Sequence, residues 1–192
     1  MIRDNIFIHI PKTGGTTARG WLGRHASVQT DHILATDAKK EWPAHFFYTF
    51  MRNPYTRMVS LYECQFPRQE INHYHLPSEG ADLTFEKYVQ IIHDGQHDTE
   101  KHLAHWRPQT DWIFDNDDSL IVDYVGHMET LKKDAEEITR LIGVKEQCNY
   151  SLIYSNKSRW RHDHYKDYFN DETRKKVEIY YEKDIDFLKV KF

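Results

Sequence analysis

The chain has 192 residues, 39% of them hydrophobic, 29% charged and 14% aromatic, with a formal net charge of -4. That length fits a single domain over residues 1–192 with a real core, and the aromatic content excludes a disordered chain. An acidic balance argues against a nucleic-acid partner but permits a local basic pocket.

Asn5 to Ile10 is rich in Ile and Phe and predicts a short buried strand. No cleavable leader pattern precedes it, and the apolar run is too short to span a bilayer. No integral membrane segment and a cytoplasmic location are therefore expected. Pro11 to Thr17 reads as a glycine-containing turn, and a helix is expected from near Gly15, carrying Trp21 and Leu22 and fading near Arg24. Ser27 to Asp31 is a polar loop, and Asp37 to Trp42 a short helix stopped by Pro43. Phe46 to Met51 is apolar almost throughout, the pattern of a central parallel strand. Asn53 and Pro54 combine an N-cap residue with proline at the first helical position, and Tyr55, Met58, Val59 and Tyr62 then recur at helical spacing. After a long polar loop from Phe66 to Ala81, Thr84 caps a helix running through His93, and Gly95 stops it. Ser119 to Val125 reads as a third strand, Thr130 to Ile142 as an amphipathic helix closed by Gly143, and Asp171 to Tyr181 as the last helix. The alternation predicts an α/β, P-loop-like three-layer fold, a central parallel sheet flanked by helices, with ligands gathering at the carboxyl ends of the strands.

Two motifs follow those strands directly. In Ile8-His9-Ile10-Pro11-Lys12-Thr13-Gly14-Gly15-Thr16-Thr17, the glycine pair lets the backbone approach an anion. The following helix start offers N–H groups, Lys12 a full charge, and Thr13, Thr16 and Thr17 hydroxyls. In Phe50-Met51-Arg52-Asn53-Pro54-Tyr55-Thr56-Arg57-Met58-Val59-Ser60, Arg52 stands at a strand end and Ser60 inside the next helix. Arg52 suits bidentate phosphate binding, and equally a carboxylate pair. Together the motifs describe a ligand with anionic groups at two separated places.

The rest of the sequence adds little chemistry. Cys64 and Cys148 form no disulfide framework and fit a reducing compartment. The histidine pairs His73/His75, His93/His97, His102/His105 and His162/His164 lack the HExxH pattern and for the most part read as surface residues, with no metal required.

The segment HIPKTGGTT resembles the 5′-phosphosulfate loop of carbohydrate sulfotransferases that use 3′-phosphoadenosine 5′-phosphosulfate (PAPS), and FMRNPYTRMVSLY resembles their 3′-phosphate site. The likeness is closest to Golgi-type enzymes, heparan-sulfate-modifying members included, and to their short bacterial relatives. Weaker likenesses lie at His105-Trp106-Arg107-Pro108-Gln109, similar to an HW-x-PQ segment, at Val122 to Gly126 with Glu129 and Leu131, and at Asn156 and Ser158 followed by Tyr165 to Tyr168. The resemblance implies PAPS as donor and adenosine 3′,5′-bisphosphate (PAP) as product. It implies Lys12 at the bridging oxygen, within a loop of Thr13, Gly14, Gly15, Thr16 and Thr17, and Arg52 with Ser60 at the 3′-phosphate. It also implies a histidine general base between the two motifs. His32 is the choice there; His25 and His45 compete, but lie away from the donor end of their elements. His105, Trp106 and Gln109 are expected to line the site of a glycan or small-molecule acceptor, or else to be structural. Arg159 and Arg161 are expected at the donor, at an acidic acceptor or on the solvated surface. Two other classes stay open. One is a nucleotide kinase or triphosphatase, with Leu120 to Asp123 as a magnesium-binding strand end, although the G-x-x-x-x-G-K order is missing. The other is a non-catalytic nucleotide-binding module.

Overall fold

A computed structural model describes residues 2–28, 32–64, 83–95, 105–145, 162 and 164–192. The expected loop at 66–81, His73, His75, His97, His102, Cys148, Asn156, Ser158, Arg159 and Arg161 lie outside the described residues. In chain order the elements are β1 (Asn5–Ile8), α1 (Gly15–Trp21), α2 (Ala35–Glu41), β2 (Phe46–Met51), α3 (Pro54–Glu63), α4 (Phe85–His93), β3 (Tyr124–His127), α5 (Leu131–Leu141), α6 (Asp171–Tyr180) and α7 (Glu182–Leu188). They divide into two compact units, Met1–Arg52 with Gln109–Lys157, and Asn53–Pro108 with Ser158–Phe192.

The first unit is built on a parallel sheet in the order β1-β2-β3, with Ile8 opposite Thr49 and Met51 opposite His127. Every residue of β1 and β2 is buried, which explains their unbroken apolar character. Successive side chains point to opposite faces. On one face Phe7, Tyr48 and Phe50 pack with Ala18 and Trp21 of α1 and with Leu131, Ala135 and Ile138 of α5. On the other, the Lys39 ammonium of α2 lies 4.9 Å from the centre of the Phe47 ring. Helices thus cover both faces of the sheet, as the alternation predicts.

The third strand differs from its expected span. Leu120 pairs with Phe114 in an isolated antiparallel bridge, because Asp115 Oδ1 accepts from the backbone N–H groups of Asp117 and Ser119 and closes a turn. Parallel pairing with β2 begins only beyond Asp123. The helix after β3 is tied to it by Asp134. Its carboxylate accepts from His127 N (2.9 Å), Thr130 Oγ1 (2.6 Å) and the Tyr124 hydroxyl (3.0 Å).

The described residues of the second unit form helices. Asn53 caps α3 through Tyr55 N at 2.9 Å with Pro54 in the first turn, and Thr84 caps α4 through Lys87 N at 3.3 Å. Tyr55, Met58, Val59 and Tyr62 are buried as expected, but so are Arg57 and Glu63 of the same helix. The polar residues are matched internally. Arg57 donates to Arg107 O (3.1 Å) and His105 O (2.9 Å), and Glu63 Oε1 accepts from the Tyr168 hydroxyl at 2.6 Å. Helix α7 was not expected, since its run of charged residues hides a short final helix behind the cap of α6. No helix among the described residues is long and apolar enough to cross a membrane.

Candidate anion-binding site

Parallel pairing puts the ends of β1 and β2 and the start of the chain after β3 at one edge of the sheet. The loop leaving β1 is tightly folded there. Lys12 and Gly14 both adopt left-handed backbone, at φ 66° and 85°. Glycine takes this conformation freely, whereas a lysine does so at a cost of about 1–2 kcal/mol. Thr13 is fully buried and its hydroxyl donates to Ile10 O at 2.9 Å, so it braces the loop through its side chain. Gly14 stands at the N-cap of α1 without a side-chain cap. The glycine pair also answers to packing. A Cβ on Gly14 would lie 2.2 Å from Met128 Sδ, and one on Gly15 would lie 1.8 Å from His9 Nε2. Thr16 is exposed and Thr17 half-buried, and Lys12 is half-buried.

Arg52 leaves the end of β2 and reaches the same loop, its Nη1 donating to Lys12 O at 3.3 Å. The two cation-bearing residues expected at the anion site therefore share one edge of the first unit. Arg52 is itself gripped: Gln109 Oε1 accepts from Arg52 N at 2.8 Å, and Gln109 Nε2 donates to Arg52 O at 2.8 Å. Gln109 is fully buried in this arrangement. Ser60 lies on α3 in the second unit and is 2% exposed.

Of the three histidines between the motifs, His32 is the one held against the loop. Its Nδ1 lies 3.0 Å from His9 O, and its ring stacks on that of His9 at 4.7 Å between centroids. The Trp112 ring meets it edge-on at 6.0 Å. A carbonyl oxygen only accepts, so this contact puts the proton on Nδ1 and, in the neutral ring, the lone pair on Nε2. His32 is exposed. His25 follows the 3-10 turn after α1, with its ring against Trp21 and its carbonyl accepting from Asn5 Nδ2 at 2.9 Å. His45 sits just before β2, at the opposite end of that strand from Arg52.

The residues expected at the acceptor have other surroundings. Trp106 is fully buried in the core of the second unit, where its Nε1 donates to the Tyr88 hydroxyl at 2.8 Å. His105 is half-buried in that unit and its carbonyl receives Arg57. Asp123, the expected magnesium ligand of the nucleotide-kinase reading, precedes β3 rather than ending it. Its carboxylate accepts from Phe47 N at 2.8 Å, and its N–H donates to Phe47 O at 2.8 Å, at the edge of the sheet remote from Lys12. Among the described residues, no group of three or more His, Cys, Asp or Glu is gathered as metal ligands are. Sequence reading missed His9, Asp134 and the bracing role of Gln109. The His9 ring stacks between Phe7 and His32, a placement that only the folded sheet edge reveals.

A family model described as the sulfotransferase family matches residues 4–190. Carbohydrate sulfotransferase 12 of Mus musculus is 26% identical over 184 residues, an alignment covering 81% of this chain and 41% of that protein. Carbohydrate sulfotransferase 10 of Danio rerio is 24% identical over 221 residues, covering 92% of this chain and 60% of that protein. The chain thus matches less than two thirds of the length of either relative. No solved structure matches the chain significantly.

Proposed function

The chain belongs to the sulfotransferase family, and on that premise we propose that it transfers a sulfuryl group from PAPS to an acceptor hydroxyl, with a carbohydrate as the acceptor class. The observation that carries this reading is the contact between the Arg52 guanidinium and the Lys12 carbonyl. It gathers a lysine–glycine loop and an arginine at one sheet edge, as a ligand with two anionic ends requires. The donor fits the residues present: two cations, an N-terminal helix turn without a side-chain cap, and a loop whose glycines admit no side chain. The acceptor class follows from the similarity to the two carbohydrate sulfotransferases. Since the family match runs across both compact units, they are taken as one domain over residues 1–192.

Bound PAPS supplies a sulfuryl group on a phosphate leaving group. Lys12 and the backbone N–H groups from Thr13 to Thr17 are assigned to the 5′-phosphosulfate, with Lys12 Nζ at the oxygen that becomes negative as the bond breaks. Charge placed in advance there stabilises the transition state more than the ground state. Arg52 is assigned to the 3′-phosphate, the role that the family resemblance implies for Ser60 as well. His32 takes the proton of the acceptor hydroxyl on Nε2, because His9 O holds the proton of Nδ1. The positive charge of Lys12 and Arg52 lets the scheme run without a metal ion. His105 is the remaining acceptor-side candidate, with Trp106 as a buried support behind it.

The reading is tested by incubating the protein with sulfur-labelled PAPS and a panel of glycans and small hydroxyl acceptors. Transfer of label that needs no magnesium is expected. Turnover of ATP with magnesium, and none of PAPS, would instead select the nucleotide-kinase reading. Binding of PAP without transfer to any acceptor would select the non-catalytic one.

A further inference from the structure

We infer that Gln109 is a positioning residue that gives the site its selectivity for a 3′-phosphorylated nucleotide, an inference that rests on the proposed assignment of Arg52. Strand β2 ends at Met51, whose neighbour on β3 is His127. Arg52 comes one residue later and pairs instead with the Gln109 side chain, which accepts from its N–H and donates to its C=O, both at 2.8 Å. Unlike an ionised carboxylate, which only accepts, a primary amide offers an acceptor and a donor side by side in one plane, so Gln109 takes the place of a missing strand. It does so fully buried, where an unmatched amide is costly and the pairing is correspondingly firm.

Gln109 is itself anchored. Its carbonyl accepts from Trp112 N at 3.1 Å and opens a 3-10 turn over Thr110–Trp112. The ring of Trp112 is the one that meets His32. One short turn therefore braces both the arginine and the histidine of the site. With its backbone held at both N–H and C=O and one guanidinium nitrogen on Lys12 O, Arg52 is ordered before ligand arrives. Affinity rises when that ordering is not a cost of binding. Loss of the Gln109 clamp should weaken recognition of the phosphate that Arg52 binds, and leave the rest of the nucleotide less affected.

The experiment compares the affinities of PAP and of adenosine 5′-monophosphate, which lacks the 3′-phosphate, for the full chain and for Gln109→Glu and Gln109→Met. Glutamate keeps the acceptor and loses the donor; methionine keeps the length and loses both. The expected result is a preference for PAP that falls by about 10-fold in either variant that retains a cooperative thermal melt, the size of one lost charge-assisted contact. At low pH, protonation of the introduced carboxylate restores a donor and should recover part of the preference in Gln109→Glu. An unchanged preference in a folded variant overturns the inference, as does loss of cooperative folding in both variants, which would mark Gln109 as a residue of the fold. Failure of the wild type to prefer PAP would overturn the assignment of Arg52 beneath it, a result distinguishable from either.

Discussion

At Gly15 the site has no room for even one methyl group. A Cβ would overlap the His9 imidazole, and that ring is fixed between Phe7 and His32 at 5.5 and 4.7 Å. Gly15→Ala should therefore push His9 into His32, lowering stability by about 1–3 kcal/mol in a thermal or denaturant melt and reducing transfer as well. His32→Ala acts differently. If His32 holds the proposed role of general base, its removal lowers kcat by roughly 100- to 10,000-fold while leaving PAP affinity within about 2-fold, as steady-state rates and titration would show. Equal turnover by His32→Ala and the wild type would remove His32 as the base. The placement of Lys12, the glycine pair and Arg52 was legible in the sequence because each follows a strand whose apolar run announces it. The clamp by Gln109 was not, since the partners of a side-chain amide are set by folding across 57 residues.

At the scale of elements, the first two apolar runs and two helix caps lie where the sequence puts them, whereas the third apolar run does not form the expected strand. Asn53 with Pro54, and Thr84, place two helix starts where the sequence put them. Arg57 and Glu63 look like solvent-facing charges on α3, yet both are buried against partners distant in the chain. The third strand was placed too early because Leu120, Ile121 and Val122 are apolar, while the Asp115 turn folds that run into an antiparallel bridge. Asp134 carries the link between β3 and α5 with three accepted hydrogen bonds. Asp134→Ala leaves those donors without their acceptor and should cost about 1–3 kcal/mol. Hydrogen exchange should then show loss of protection first at the His127 amide. A melt unchanged from wild type would contradict the role given to Asp134.

Over the molecule as a whole, burial of tyrosines sets an alkaline limit to stability. In the first unit, burial pushes the Tyr124 phenol up from its ordinary value of 10.0 to about 12, assisted by its bond to the Asp134 carboxylate. Burial likewise raises Tyr48 in that unit and Tyr181 in the second. A phenol with a higher pKa in the folded state favours folding while it stays protonated. Its contribution is intact below the unfolded value near 10.0 and is lost as pH rises through the folded one, about 12 for Tyr124. Phenolate absorbance and circular dichroism should accordingly change together above the ordinary tyrosine range; ionisation of all twelve tyrosines at their ordinary value, without unfolding, would contradict this. The α/β class was readable from the order of strands and helices. The division into two compact units was not, because 53–108 and 158–192 join across a long stretch of sequence.

Lys12 and Arg52 are proposed to grip the two ends of one nucleotide, and calorimetric titration of PAP measures that directly. The wild type should bind PAP more tightly than ATP with magnesium, and Lys12→Ala and Arg52→Ala should each weaken PAP by about 10-fold or more. Equal or tighter binding of ATP with magnesium, or PAP affinity indifferent to both substitutions, would contradict it.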